Sequence, residues 1–241
     1  MKIRVIDFET TGSDKDKQAG KPAAICEVGF TDLDLETGIG RPVSALVNPG
    51  MPIPPITRAI HHISDSMVAD AINTMDACRM LMDGMQEGDV FAAHNHSFEK
   101  AFFGGGKFAW ICSLKCARDI LPDAPSHSNQ VLRYYLDLDN EFEWPEAAMP
   151  PHRAGPDTYV TAHLVRKLLE KRTLQELIHT TSSRVILQTV NFGTAHRGKL
   201  WADMDEGFLR WVLEKDFDED VKNTARHWLN ERSRAAKNFV F

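Results

Sequence analysis

IRVIDFETTG, residues 3–12, runs β-branched and apolar from Ile3 to Phe8 and carries two acids, Asp7 and Glu9, towards its end. A β-strand turns successive side chains to opposite faces, so Asp7 and Glu9 leave one face while Phe8 points into the other. Two carboxylates on one face of a buried strand repel each other, and their ionised forms are costly without a cation. A metal ion is the simplest remedy. An edge strand with solvated acids is the plain alternative, and a lone D-x-E leaves the two evenly matched.

The rest of the chain sets limits on that choice. With 241 residues and 43% hydrophobic content, it can bury one sizeable core and a small appendage. The acids at positions 7 and 9 break the first apolar run too early for a signal peptide, and no stretch approaches the ~20 apolar residues of a membrane span. A globular, cytoplasmic protein with no membrane partner is expected. Cys26, Cys78, Cys112 and Cys116 form no paired framework, and the close pair is spaced C-x-x-x-C, which predicts free thiols. The net charge of -6 excludes a protein that coats nucleic acid by bulk attraction, but not an enzyme with an acidic centre and local basic residues.

Strand and helix signals alternate along the chain. Residues 24–35 and 43–47 read as further strands, with Glu36-Thr37-Gly38 as a hairpin turn. Residues 51–55 (MPIPP) mark a loop. Helices are expected to open at Ser64 and to run over residues 75–85, whose Met and Ala positions read as core. A short strand at 90–93 is followed by helices over 112–121, over 131–135 with Ser126 or Ser128 as cap, and over 157–171 after a Pro-rich acidic loop. A strand meander followed by alternating strands and helices predicts a mixed sheet in an α/β domain.

Two further acids need a reading. In HNHSFEK (residues 94–100), Glu99 should lie at a strand-to-helix turn, where Ser97 as helix cap and Glu99 at the positive helix end are the bland account. In HRAGPDTYVTAHLV (residues 152–165), Pro156 suits a first helical turn and Asp157 suits the helix dipole, while His152 lies in the loop before it, and a histidine is a residue type that can take a proton from water.

Taken in order, D-x-E on a first strand, H-N-x-x-F-acid, and H-x-A-x-x-D opening a helix resemble the DnaQ-like, or DEDDh, 3′ to 5′ exonucleases. The resemblance implies an RNase H-like mixed sheet flanked by helices, with Asp7, Glu9, Glu99 and Asp157 as metal-binding carboxylates and His152 as general base. It also implies that Thr10, Thr11 and Gly12 offer backbone groups to the last nucleotide, and that Ile60, His61, Asn95 and Phe98 lie on the substrate side. Two Mg²⁺ or Mn²⁺ ions are the implied cofactors, since oxygen-only ligation suits these ions and not zinc.

The segments AHNHSFEKAFF, WICSLKCARDILPD, HSN and FGTAHRGKLWADMDEGFLRWVLEK are similar to the exonuclease X group within that family, whose members carry a small C-terminal extension. The loop of residues 13–22 is longer than the pattern, and Glu99 stands where the family usually has Asp. We expect an exonuclease domain over residues 1–172 and an extension over 173–241, opened by a capping box at Thr173 and containing a strand-like segment at 185–192. Its basic residues (His196, Arg197, Lys199, Arg210, Lys222, Arg226, Arg232, Arg234 and Lys237) suit phosphate contact or a solvated face equally, and Trp201, Trp211 and Trp228 read as core. The expected substrate is the 3′ end of nucleic acid, single-stranded DNA first. An RNase of the same fold and a weakly active module that binds nucleic-acid ends are the alternatives.

Overall fold

The computed structural model of the chain describes residues 1–238, with side chains through residue 234; the side chain of Lys237 lies outside the described ones. Six strands form one sheet: β1 (Lys2–Thr10), β2 (Ile25–Asp34), β3 (Gly38–Ile39), β4 (Val43–Leu46), β5 (Val90–Ala93) and β6 (Ala109–Cys112). Their order is β3-β2-β1-β5-β6, with β4 also on β2. β1 pairs antiparallel with β2 and parallel with β5, and β5 pairs parallel with β6, so the sheet is mixed.

The period of two in β1 sorts its side chains as the sequence predicts. Ile3 and Val5 enter the core on one face, while Ile6 and Phe8 enter the core on the other, beside Phe91 and Trp110. Asp7 and Glu9 continue the Ile3–Val5 row. Arg4 goes to the opposite face, buried, where its guanidinium bonds both oxygens of Asp32 at 2.7 Å and the carbonyls of Leu81 and Asp83.

Before β5 come the short helices α1 (Asp14–Gln18), α2 (Pro55–His61), α3 (Asp65–Val68) and α4 (Thr74–Met82). After it come α5 (His96–Phe103), α6 (Ser113–Ile120), α7 (Asn129–Tyr135), α8 (Ala154–Leu169) and α9 (Leu174–Ser182). α8 lies across β1 and β2, and its Tyr159, Val160, Leu164 and Val165 fill the core against Ile3 and Val5. The lengthened loop after β1 folds into α1 through a Ser13–Asp16 capping box. Pro54 and Pro55, read as loop, instead start α2, with proline in the first turn where its missing N–H costs nothing. β6 was not expected; its Trp110, Ile111 and Cys112 are buried against β5. In α4 it is Ala77 and Leu81 that are buried, whereas Met75 is 64% exposed.

The chain closes with α10 (Glu206–Glu214) and α11 (Glu219–Asn238). Residues from Val185 onwards build a core of their own around Trp201, Leu209, Val212, Val221 and Ala225. The capping box at Thr173 opens α9 as expected, yet Leu177 of α9 packs into the first core with Cys116 and Leu168. The strand expected at 185–192 does not form: the segment makes one isolated bridge, Thr189 to Leu200, and the Leu187 N–H goes to Thr224 Oγ1 of α11 in place of a neighbouring strand, while Val185, Leu187 and Val190 pack in the C-terminal core. Trp211 is also corrected, being 42% exposed and stacked on Phe208.

Candidate active site

The site forms at the carboxyl ends of β1 and β5, the edge at which open α/β sheets bind ligands. β1 delivers Asp7 and Glu9 to the face that α8 covers, and Asp157 sits in the first turn of α8. One carboxylate oxygen from each of Asp7, Glu9 and Asp157 lies within 4.8 Å of the others. Among the described residues, neither Asp7 nor Glu9 accepts a side-chain hydrogen bond.

Burial and mutual repulsion leave these acids reluctant to ionise. Burial first, then the charges of Glu9, Glu99, Asp157 and Glu27, hold the Asp7 carboxyl well above the usual range. Glu9 is pushed up to about 8 by burial and by Asp157 and Glu27, with Arg153 acting the other way. Burial also raises Asp157, against the His152 N–H that bonds it. Such a cluster is stable when ionised only if a cation shares it, and an all-oxygen donor set suits a hard divalent ion.

Glu99 stands beside this trio and not within its 4.8 Å group. It lies in the first turn of α5, buried, and its Oε2 has no hydrogen-bond partner among the described residues. Burial lifts its carboxyl to about 8, with Asp14 and Glu9 adding to the rise. The capping account fails: Asn95 precedes the helix, Ser97 lies inside it, and no side chain caps its end.

His152 is exposed, in the left-handed region with φ 59°, and its backbone N–H donates to Asp157 Oδ2 at 2.9 Å. The other Asp157 oxygen accepts from Gln130 Nε2 at 3.0 Å, and Asn129 Nδ2 donates to the Asp157 carbonyl at 3.2 Å. These amides lie in the first turn of α7, and the loop leading into it is held by His94, whose ring nitrogens meet Ser113 Oγ and the His127 carbonyl, each at 2.9 Å. Sequence reading passed over Gln130 and gave His94, the first residue of H-N-x-x-F-acid, no role of its own. It also passed over Glu27, which is buried on β2 opposite Glu9 and bonded by Arg153; an acid inside the otherwise apolar run of residues 25–30 was the available signal.

The other expected residues divide. Thr10 Oγ1 donates to the Gly12 carbonyl at 2.7 Å, and Thr11 exchanges bonds with Ala24, so this turn is braced beside the acids. Ile60 is 49% exposed on α2 and Asn95 is exposed, while Phe98 is half-buried against Phe102. His61, expected on the substrate side, is instead 2% exposed: its Nδ1 accepts the Ile63 N–H, and its Nε2 lies 3.7 Å from Cys26 Sγ. Of the pair, Ile60 is the one available to a ligand.

A family model described as RNase_T, exonuclease, matches residues 5–165. The chain belongs to this exonuclease family. It is a 3′ to 5′ exonuclease with the DnaQ-like, RNase H-like fold, acting on nucleic acid; the family depends on divalent metal, and the three acids form a candidate metal site. Exodeoxyribonuclease 10 of Escherichia coli (strain K12) is 30% identical over 238 residues, covering 94% of this chain and 98% of the relative. The solved structure of exonuclease X in complex with 5′ overhanging duplex DNA is 30% identical with a TM-score of 0.61, covering 75% of this chain and 99% of that one. The nuclease domain of 3′hExo, a DEDDh family member bound to rAMP, shares the fold at 16% identity and a TM-score of 0.56, over 70% of this chain and 92% of that one. No helix among the described residues is long and apolar enough to cross a membrane.

Proposed function

We propose that this RNase_T family exonuclease removes nucleoside 5′-monophosphates from the 3′ end of DNA, single-stranded DNA being the preferred substrate. Asp7, Glu9 and Asp157 would hold Mg²⁺ or Mn²⁺, with Glu99 the fourth carboxylate of a two-ion site. The observation that carries the reading is the convergence of Asp7, Glu9 and Asp157, half-buried, within 4.8 Å. Similarity along almost the whole chain to an exodeoxyribonuclease supports DNA. Bound there, divalent cations supply charge neutralisation at the scissile phosphate and at the leaving 3′ oxygen.

The remaining chemistry falls to the chain's own groups. His152 takes a proton from the attacking water as the water oxygen bonds to phosphorus; the bond from phosphorus to the 3′ oxygen breaks, that oxygen takes a proton from solvent, and His152 returns its own proton to solvent. His152 suits this work because its ring is exposed while its backbone is tied to Asp157. Ile60 and Phe98 contact the terminal base, a contact tolerant of sequence. The turn at Thr10, Thr11 and Gly12, braced by its own bonds, offers backbone groups to the last nucleotide. Packing supports a division into an exonuclease unit ending near Ser183 and a small unit from Val185 onwards, in place of a boundary at 172/173.

Incubation with 3′-labelled and 5′-labelled single-stranded DNA and RNA, with Mg²⁺, Mn²⁺ or EDTA, tests the proposal. Release of mononucleotide first from the 3′ label, faster on DNA and stopped by EDTA, is expected. Faster RNA cleavage would make it an RNase of this fold. Binding of ends without turnover in either metal would make it a module that only docks there.

A further inference from the structure

We infer that Glu27 and Arg153 are positioning residues for cleavage: with Gly29 they form a seat on β2 that fixes the start of α8, and thereby His152 and Asp157. The inference rests on the roles proposed above for those two residues. The Glu27 carboxylate is 2% exposed and takes three hydrogen bonds, all from the chain just after His152. Arg153 donates from Nε at 2.9 Å and from Nη2 at 2.6 Å, and the Ala154 N–H donates at 3.0 Å. Gly29 lies two residues further along the same strand face. A Cβ there would come within 2.5 Å of the Ala154 carbonyl carbon and 2.6 Å of the Gly155 nitrogen. So β2 has no side chain where the first turn of α8 touches it, and a carboxylate where that turn needs an anchor.

Stability alone does not account for the pair, because a buried ion pair is often no better than apolar residues of the same volume. Its location is also unfavourable for the acids. Glu27 pairs in register with Glu9, and its charge opposes ionisation of Asp7 and Glu9. What Glu27 contributes in return is orientation: a bidentate guanidinium–carboxylate pair fixes angle as well as distance. His152 immediately precedes the anchored residues, and Asp157 follows within one turn. Displacement of a reacting group by about 1 Å can lower a rate about 100-fold.

The test uses the full chain carrying Glu27→Gln, Arg153→Met, Arg153→Lys, or Glu27→Gln with Arg153→Met. For each, kcat and KM are measured on a 5′-labelled single-stranded DNA oligonucleotide, and the rise in Tm on adding Mn²⁺ is measured without DNA. Each single variant should lower kcat by about 10- to 100-fold while leaving KM nearly unchanged, and should shrink the Mn²⁺ rise. The double variant should be no worse than Arg153→Met, because the two residues act as one unit. A folded Arg153→Met protein with wild-type kcat and Mn²⁺ response overturns the inference, as do losses that multiply in the double variant. If Arg153→Met does not fold, Arg153→Lys carries the test: it keeps the charge but not the two parallel bonds, so wild-type kcat in it overturns the inference as well. His152→Ala at full rate would instead remove the general-base reading and leave the Mn²⁺ arm, which reports on Asp157, standing.

Discussion

Glu99 is one methylene longer than the aspartate usual at its position, and the structure absorbs that length by seating it on α5 outside the group formed by Asp7, Glu9 and Asp157. Shortening the side chain would carry the carboxyl further from the trio. Glu99→Asp and Glu99→Gln are therefore both expected to slow Mg²⁺-supported cleavage, by about 10-fold or more, in a single-turnover assay; a faster Asp variant would show a site that Glu attenuates. The raised carboxyls give a second expectation. Glu9 and Glu99 titrate near 8 when folded, far above an unfolded Glu, so between those values the folded state binds more protons. Their contribution to metal-free stability is thus fully present below the unfolded pKa and lost as pH rises through about 8. A divalent ion reverses this, because it binds the ionised acids and releases their protons. Melting curves in EDTA should fall from pH 6 to 9, and the Mn²⁺-induced rise in Tm should grow over the same range. Asp7→Asn removes one repelling charge, so it should fold normally, melt no lower in EDTA, and lose cleavage.

At the scale of elements, the start of α8 concentrates the chemistry. Its first turn supplies Asp157 and the loop before it His152, and both of Asp157's oxygens are already oriented by the His152 N–H and Gln130. Substituting the His152 ring leaves the backbone bond in place. His152→Ala should therefore keep its metal response while its rate falls by about 10² to 10⁴, and it should lose the acid limb of the wild-type pH–rate profile. An unchanged profile would assign the proton transfer elsewhere. α5 and α9 show how local signals are outvoted. Ser97 and Glu99 look like a cap and a dipole partner, but the packing of β5 and α5 buries Glu99 towards Asp7. The capping box of α9 is real, yet Leu177 sends that helix into the exonuclease core.

On the scale of the whole molecule, the small C-terminal unit is tied to the exonuclease unit by charge. Arg118 reaches Asp218 at 2.9 Å and Asp220 at 3.2 Å, Lys115 meets Asp220 at 3.7 Å, and Lys15 of α1 meets Asp216 at 2.7 Å. Several of the unit's own basic residues are engaged: Arg210, Arg226 and Arg234 each pair with a glutamate, and Arg232 bonds the Ala202 carbonyl. Arg197 and Lys199, in the exposed turn, have no ion pair among the described residues. If this unit contacts DNA, Arg197→Ala with Lys199→Ala should weaken binding of long oligonucleotides and flatten the salt slope by at most about 2, with turnover of short ones unchanged. An unaltered slope would leave the unit with packing alone. What the sequence determined by itself is what depends on near neighbours along the chain: the two faces of β1, the turn at 36–38, the capping box at Thr173, and three motifs specific enough to name a family. What only tertiary structure decided are the partnerships between distant residues. These include Glu27 with Arg153 across 126 positions, the separation of Glu99 from the trio, the burial of His61, and the fate of Val185 to Phe192, an apolar run that found helices to pack on and no strand to pair with. The physical reason is that backbone periodicity and capping are settled within a few residues, whereas burial, pairing and pKa depend on which distant segments pack alongside.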